Sequence, residues 1–541
     1  MSKQIIFMAV IFFALIFSAS VTFAANVGQG RKILYIPIDN RPCNLRQTVE
    51  VIEKLGYEVI TPPENFLGTG ATPEKFGKPE ELWTWLENNA AGVDAAVIST
   101  DAMIYGSLVA SRMHDLSAEK IMERAKKFSD FNKKFPYIPV YALGTIMRTP
   151  TAAGSSYEPE YYKTYGTAIW NYTRLKDKAE TEKLSRREKK DYAKFENEIP
   201  AEVMRDWFSR RERNYNANKF FIDLASEGVF QYFLLGCDDN APFSQTHLES
   251  RHLTEHAKNL NLGKTVCLVT SGADELGMLM LSRAVNKNLN EIPFVAVDYN
   301  EGKGKNTIPS YANEPIGKSV SDAIIAAGGL EIPAAERADL VLAVNTNFNG
   351  KTFEAHNPKN TIKPRRETKT FMNLLKNLLD KNYPVGVADI ATANGADNAL
   401  MNQLKKENLQ FKITAYGGWN TATNSSGFLI GAGVLSKFMN DYEKNSLLLT
   451  RYFDDWAYQA NIRTQIGNGL IWTVPGEGSY SKLDEKREGL EKLTAELAEK
   501  FAAENFILPE KTSLKNIRAN FLWNRCFESD ISFQFDSTRV E

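Results

Sequence analysis

The chain has 541 residues, 43% hydrophobic and 24% charged, with 65 Lys and Arg against 66 Asp and Glu. That mixture is too apolar and too evenly charged for a disordered chain. A formal net charge of -1 gives no whole-chain argument for nucleic acid or an anionic membrane as partner, and four cysteines exclude a scaffold built on disulfides.

The first 24 residues read as a secretory signal peptide. Lys3 supplies a positive start, Ile5 to Phe17 is an unbroken apolar run of 13 residues, and Thr22-Phe23-Ala24 offers small residues at both specificity positions of a cleavage site. The run falls short of the ~20 residues of a membrane-crossing helix. The mature protein is expected outside the cytoplasm, secreted or periplasmic, with no stable membrane anchor.

From residue 31, short apolar runs rich in Val and Ile alternate with amphipathic stretches. The β-runs are Lys32–Ile38, Glu58–Thr61, Ala95–Thr100, Pro139–Gly144, Phe230–Gly236, Thr265–Thr270, Pro293–Val297, Leu340–Asn345, Pro384–Ile390 and Phe411–Tyr416. Strands buried on both faces read this way. The alternation predicts an α/β domain over residues 25–436 with a mainly parallel sheet, either (β/α)-barrel-like or doubly wound. Residues 155–228 break the rhythm, and their charge-dense run Lys183–Lys194 reads as the solvated face of a helical insertion. Residues 437–541 show no such β-runs and are expected to form a helical C-terminal subdomain. The sequence shows no internal repeat.

Polar residues follow nearly every β-run. Asp39, Asn40 and Arg41 follow the first, Asp101 the third and Arg148 the fourth; then come Asp238-Asp239-Asn240, Asp274-Glu275, and Trp419-Asn420. In parallel α/β folds the carboxyl ends of the strands share one rim, where ligands bind. Asp, Asn and Gly after a strand are also ordinary turn and helix-capping residues, so the set carries more weight than any single position.

Asp238 and Asp239 are the candidate catalytic pair, because two carboxyls in different surroundings can divide the roles of acid and base. Adjacent side chains converge only if the strand has ended before them. Asp39 and Asn40 with Arg41, Asp101, Arg148, Asn240 and the Asp274-Glu275 pair are candidate substrate-binding groups. Trp419 and Asn420 combine an aromatic face with an amide, a way to hold a sugar ring. An alternative places Asp39, Asp101 and Asp238 around a divalent cation such as Mg or Ca. His252 and His256 share a helix face without the His-Glu-x-x-His pattern, so no metal site is assigned to them. No P-loop, dinucleotide fingerprint or G-x-S-x-G elbow is present, and no cofactor is expected. Cys237 and Cys267 fall on successive β-runs, as buried thiols or as a possible pair.

The segments ILYIPIDNRPCN, STDAMIYGSLVASR, GCDDNAP, GADELGMLMLSRAVNK, LVLAVNTN, ADIATANGADNAL and AYGGWNTATNSSG resemble domain-of-unknown-function family 4127 over most of the mature chain. That family brings no settled activity. Asp238-Asp239 and Trp419-Asn420 also look locally like O-GlcNAcase-type glycoside hydrolases. That resemblance implies Asp238 orienting a substrate acetamido group and Asp239 acting as general acid/base. The reading is an exported hydrolase, glycosidase-like, for a carbohydrate or other polar small substrate. Its alternatives are a metal-dependent hydrolase and a non-enzymatic ligand-binding protein of the envelope.

Overall fold

The computed structural model describes residues 26–151, 157–467 and 482–537. The expected signal peptide lies outside the described residues. All ten β-runs form strands, and they divide between two sheets. The first sheet holds β1 (Lys32–Ile36), β2 (Glu58–Ile60), β3 (Ala95–Ser99), β4 (Val140–Ile146), β5 (Tyr232–Cys237) and β6 (Cys267–Ser271). They are parallel, in the order β2-β1-β3-β4-β5-β6.

The second sheet begins with β7 (Phe294–Tyr299), the two-residue β8 (Leu330–Glu331) and β9 (Leu340–Asn345). The short β10 (Phe353–Glu354) leaves it to pair with β12 (Thr392–Ala393). β11 (Val385–Asp389) and β13 (Ala415–Gly417) complete it, in the order β13-β11-β9-β7-β8, again parallel. Counted from its own first strand, the second sheet repeats the order of the first. Neither sheet closes on itself. The doubly wound alternative is therefore correct and the barrel-like one is not. Two-sided burial makes a parallel strand read alike in both architectures, so the β-runs themselves could not separate them.

Burial alternates along the strands. Ile33 and Tyr35 of β1 enter a central core, while Leu34 and Ile36 enter an outer one. The central core also takes Leu340, Leu342 and Val344 from β9, so the two sheets share it. Between them lies the helix Leu276–Asn288, which buries ten residues, among them Leu279 and Leu281. It packs on β3, β4 and β5 and on the helices Ile316–Ala326 and Ala422–Gly433. A helix apolar on nearly every side is what a position between two layers requires.

Between β4 and β5 run the helices Tyr162–Thr181, Arg186–Glu198 and Ala201–Ser226. They form a small core of their own around Ile169, Tyr172 and Trp207. The charge-dense middle helix buries no residue and starts with a Ser185–Glu188 capping box. The C-terminal region is not all helical, contrary to expectation. After the helices Asp441–Arg451, Tyr452–Ile462 and Arg487–Asn505 comes an antiparallel hairpin of β14 (Thr512–Asn520) and β15 (Asp530–Ser537). Its strands are half-exposed and mix Lys, Arg, Asp and Asn with apolar residues, so they lack the Val/Ile-rich signature of buried strands.

All four cysteines are buried free thiols. Cys237 lies opposite Ser271, and Cys267 opposite Phe233. An offset of four residues is about 13 Å along the strand, well beyond disulfide reach. Among the described residues no helix is long and apolar enough to cross a membrane.

Leu281 is fully buried where the two sheets meet. Leu281→Ala is expected to destabilise the protein by about 2–5 kcal/mol in denaturant titration, the range for deleting a core leucine. A loss within experimental error would contradict the shared core.

Candidate functional site

A cavity of about 250 Å³ opens at the carboxyl ends of β1, β4, β5 and β6. Arg41 lines it after β1, Arg148 after β4, Asp238 and Asp239 after β5, and Gly272, Ala273 and Asp274 after β6. The opposite wall comes from the second half of the chain. Asn420, Thr421 and Asn424 follow β13, Tyr311 follows β7, and Trp523, Arg525 and Phe527 lie in the β14–β15 connection. Crevices outside the carboxyl ends of parallel strands are where doubly wound folds bind ligands.

β5 ends at Cys237, so the alternation of a strand no longer applies to Asp238 and Asp239. Both line the cavity. Their partners differ. Arg112 donates to Asp238 Oδ2 from Nε at 3.1 Å and Nη2 at 2.5 Å. Arg148 donates from Nη1 to Asp239 Oδ2 at 2.9 Å, and from Nε to the buried Glu158 at 2.7 Å. Burial, and then the charge of Asp238, hold the Asp239 carboxyl above the ordinary carboxylate range, against the pull of Arg148 and Arg112. The Asp239 side chain remains 33% exposed, so its proton can be exchanged with a ligand or water.

Asp274 receives both arms of Arg41, Nη1 to Oδ2 at 3.1 Å and Nη2 to Oδ1 at 2.5 Å. Asn420 Nδ2 donates to it at 3.4 Å. Burial raises its pKa and Arg41 opposes the rise. Arg41, Arg148, Asp238, Asp239, Asp274 and Asn420 all line one cavity.

The other expected residues do not line the cavity. Asp39 is wholly buried and accepts from Arg41 Nε and Asn44 Nδ2, which orients the arginine. Asn40 accepts from Trp523 Nε1 at 2.8 Å. Asp101 accepts from the Thr145 backbone N–H and hydroxyl, tying β3 to β4, and burial pushes it up to about 7. Asn240 closes a turn through Ala241 N–H and the Ser244 hydroxyl. Glu275 accepts from Ala273 N–H, and burial pushes it up to about 8. Trp419 is 5% exposed and faces the interior. The aromatic wall is Trp523 instead, with Tyr157 beside it at 6.0 Å between ring centres.

Among the described residues the three carboxylates of the metal alternative do not gather as a metal-binding group. Asp39, Asp101 and Asp238 are held by Arg41, Thr145 and Arg112 respectively. Among the described residues no group of three His, Cys, Asp or Glu side chains could hold a metal ion. His252 and His256 pair with Glu180 and Asp223 on a helix surface. The polar residues ending the second sheet mostly bond to one another. Asp389 accepts from Asn345 Nδ2, the Asp397 N–H and the Tyr416 hydroxyl.

Arg112, Tyr157, Tyr311, Trp523 and Arg525 escaped the sequence reading. None follows a β-run directly except by long loops, and Trp523 and Arg525 come from a hairpin that carried no strand signal.

The family model described as a protein of unknown function, DUF4127, matches residues 33–532. The chain belongs to that family. The DUF4127 match spans both sheets and most of the hairpin, so every cavity residue lies inside it. No curated protein matches the sequence. A solved Mycobacterium smegmatis protein in complex with β-D-fucofuranose aligns at 10% identity over 70% of this chain and 85% of its own, with a TM-score of 0.14. A score that low carries no argument about fold or ligand.

The raised carboxyls give a pH dependence with a definite sign. Glu275 holds in the folded state a proton that the unfolded chain releases near pH 4. Stability from this group is therefore lost as pH rises from about 4 toward its folded value near 8. Glu275→Gln is expected to flatten the stability profile over that window in denaturation at stepped pH; an unchanged slope would contradict the assignment. Gly272 has φ of +111°, and a Cβ there would stand 1.7 Å from Glu275 Oε1. Gly272→Ala should cost at least about 1–3 kcal/mol from backbone strain alone, measured by the same denaturation.

Proposed function

We propose that the protein is an exported hydrolase, glycosidase-like, acting on a carbohydrate or similarly polar small substrate in this cavity. Export rests on the character of the first 24 residues. The observation that supports hydrolysis is the adjacent pair with opposed partners: Asp238 engaged by Arg112, and Asp239 raised toward its protonated form.

In this reading Asp239 gives its proton to the leaving oxygen as the C–O bond breaks. Attack by water supplies the new C–O bond, and the water's proton returns to the Asp239 carboxylate. Asp238 and Asp274 accept hydrogen bonds from substrate hydroxyl or amide groups, and Asn420 and Asn424 can donate or accept. Trp523 and Tyr157 offer ring faces to the C–H side of a sugar. Arg112, Arg148 and Arg41 fix the three carboxyls, so each is presented in one orientation.

One observation favours a second reading. Two sheets of the same strand order facing a shared cleft suit a hinged ligand-binding protein. That reading predicts saturable binding without turnover. Against a panel of glycosides, Asp239→Asn is expected to lower turnover by about 10²–10⁴-fold, the usual loss of a general acid, with substrate affinity changed only slightly. Unchanged turnover would overturn the role of Asp239. Wild-type binding with no turnover of any bound glycoside would favour the binding protein.

A further inference from the structure

A second cavity, about 400 Å³, adjoins the first, and Phe527 lines both. Tyr311, on the wall of the main cavity, donates its hydroxyl to Glu354 of the second at 2.7 Å. Asn394 Nδ2 donates to the other Glu354 oxygen at 2.7 Å. These bonds hold Glu354 toward the partition between the two spaces. The other polar side chains of the second cavity include Arg463 and Thr464.

Arg463 is the unusual group. It is 6% exposed and forms no ion pair among the described residues. Nη2 donates to the Asn394 carbonyl at 2.9 Å, and the guanidinium lies 4.9 Å from the Phe527 ring centre. Among the described residues Nη1 is buried with no hydrogen-bond partner, and so is the Thr464 hydroxyl oxygen in the same cavity. Buried cations in folded proteins are normally paired, because an uncompensated one is strongly destabilising. The other arginines of the site follow that rule: Arg41, Arg112, Arg148 and Arg525 each have carboxylate partners.

We infer that the cavity around Arg463 is a second subsite that takes an anionic group, a carboxylate or a phosphate, carried by the substrate held in the main cavity. The inference rests on the reading of the main cavity as a polar-substrate site and narrows its substrate to an acidic saccharide. Arg463 Nη1 and the Thr464 hydroxyl would donate to the anion, with the Phe527 ring, 4.9 Å from the guanidinium, lining both cavities. Glu354 is not an anion ligand. Its oxygens accept from Tyr311 and Asn394.

Calorimetric titration tests this, with D-glucuronate against D-glucose as sugar probes and sodium acetate against inorganic phosphate as bare anions, all at one ionic strength. D-glucuronate is expected to bind at least about tenfold more tightly than D-glucose, the effect of one charge-assisted hydrogen-bonded contact. Arg463→Gln and Thr464→Val should each cut that preference and weaken the bare anions, while D-glucose affinity stays the same. The stronger of acetate and phosphate names the anion class. Thr464→Val keeps shape and charge, so it carries the test if Arg463→Gln does not fold. Equal affinity for D-glucuronate and D-glucose with no binding of either bare anion would overturn the subsite. So would an anion preference unaltered in both variants. Asp239→Asn should leave anion binding intact, so loss of the hydrolase reading and loss of the subsite give separate results.

Discussion

Arg41 and the carboxylates around it hold the site together. The guanidinium engages Asp274 with both arms, is steered by Asp39, and reaches Glu528 at 3.7 Å. One residue thereby joins the ends of β1 and β6 to the β14–β15 connection. Trp523 lies 5.5 Å from Arg41 across its ring and donates to Asn40, a bond between residues 483 positions apart. A buried ion pair adds little net stability, because desolvation offsets the attraction. Its value here is positional. Arg41 and the Trp523–Asn40 bond together set the aromatic wall against the carboxyl end of β1.

The rest of the architecture serves that closure. The central core receives one face of each sheet, so both strand rims are built on one shared packing. The helix Tyr452–Ile462 adds a second clamp. Asp455 accepts from the Gly418 N–H at 2.7 Å and pairs with Arg451, whose Nη1 donates to Gln47. This fixes the loop that delivers Asn420 to Asp274. Glu275, packed against Gly272 and Gly427 behind the cavity wall, carries a carboxyl whose proton is favoured by burial. Carboxyls of the strand ends thus play two roles in this chain. Asp101, Asp389 and Glu275 tie backbone together, while Asp238, Asp239 and Asp274 face the cavity.

Much of this was legible in the sequence, for a physical reason. Parallel strands buried on both faces leave apolar Val/Ile runs, so all ten could be placed. Residues just after them fall on the ligand-binding rim, so Arg41, Arg148, Asp238, Asp239, Asp274 and Asn420 could be found. Three things left no local trace. The division into two sheets depends on how the helix Leu276–Asn288 packs, and its sequence says only that it is buried. Whether a strand-end carboxyl faces a cavity or a neighbouring backbone N–H depends on loop paths, which is why Asp101 and Asp389 read like Asp238. Trp523 reaches the site only through the folded hairpin, and Trp419, next to the same rim, was the nearer tryptophan in sequence but turns inward.

The account stands on burial and the adjacent Asp238 carboxyl holding the Asp239 carboxyl above the ordinary carboxylate range. The most direct measurement is a pH titration of the Asp239 carboxyl by carbon-13 NMR, in the wild type and in Asp238→Asn. The account predicts an Asp239 midpoint above the ordinary carboxylate range in the wild type. It also predicts a fall in the variant, where the neighbouring negative charge is gone and Arg112 is released. An Asp239 that titrates in the ordinary range and does not respond to Asp238→Asn would contradict it.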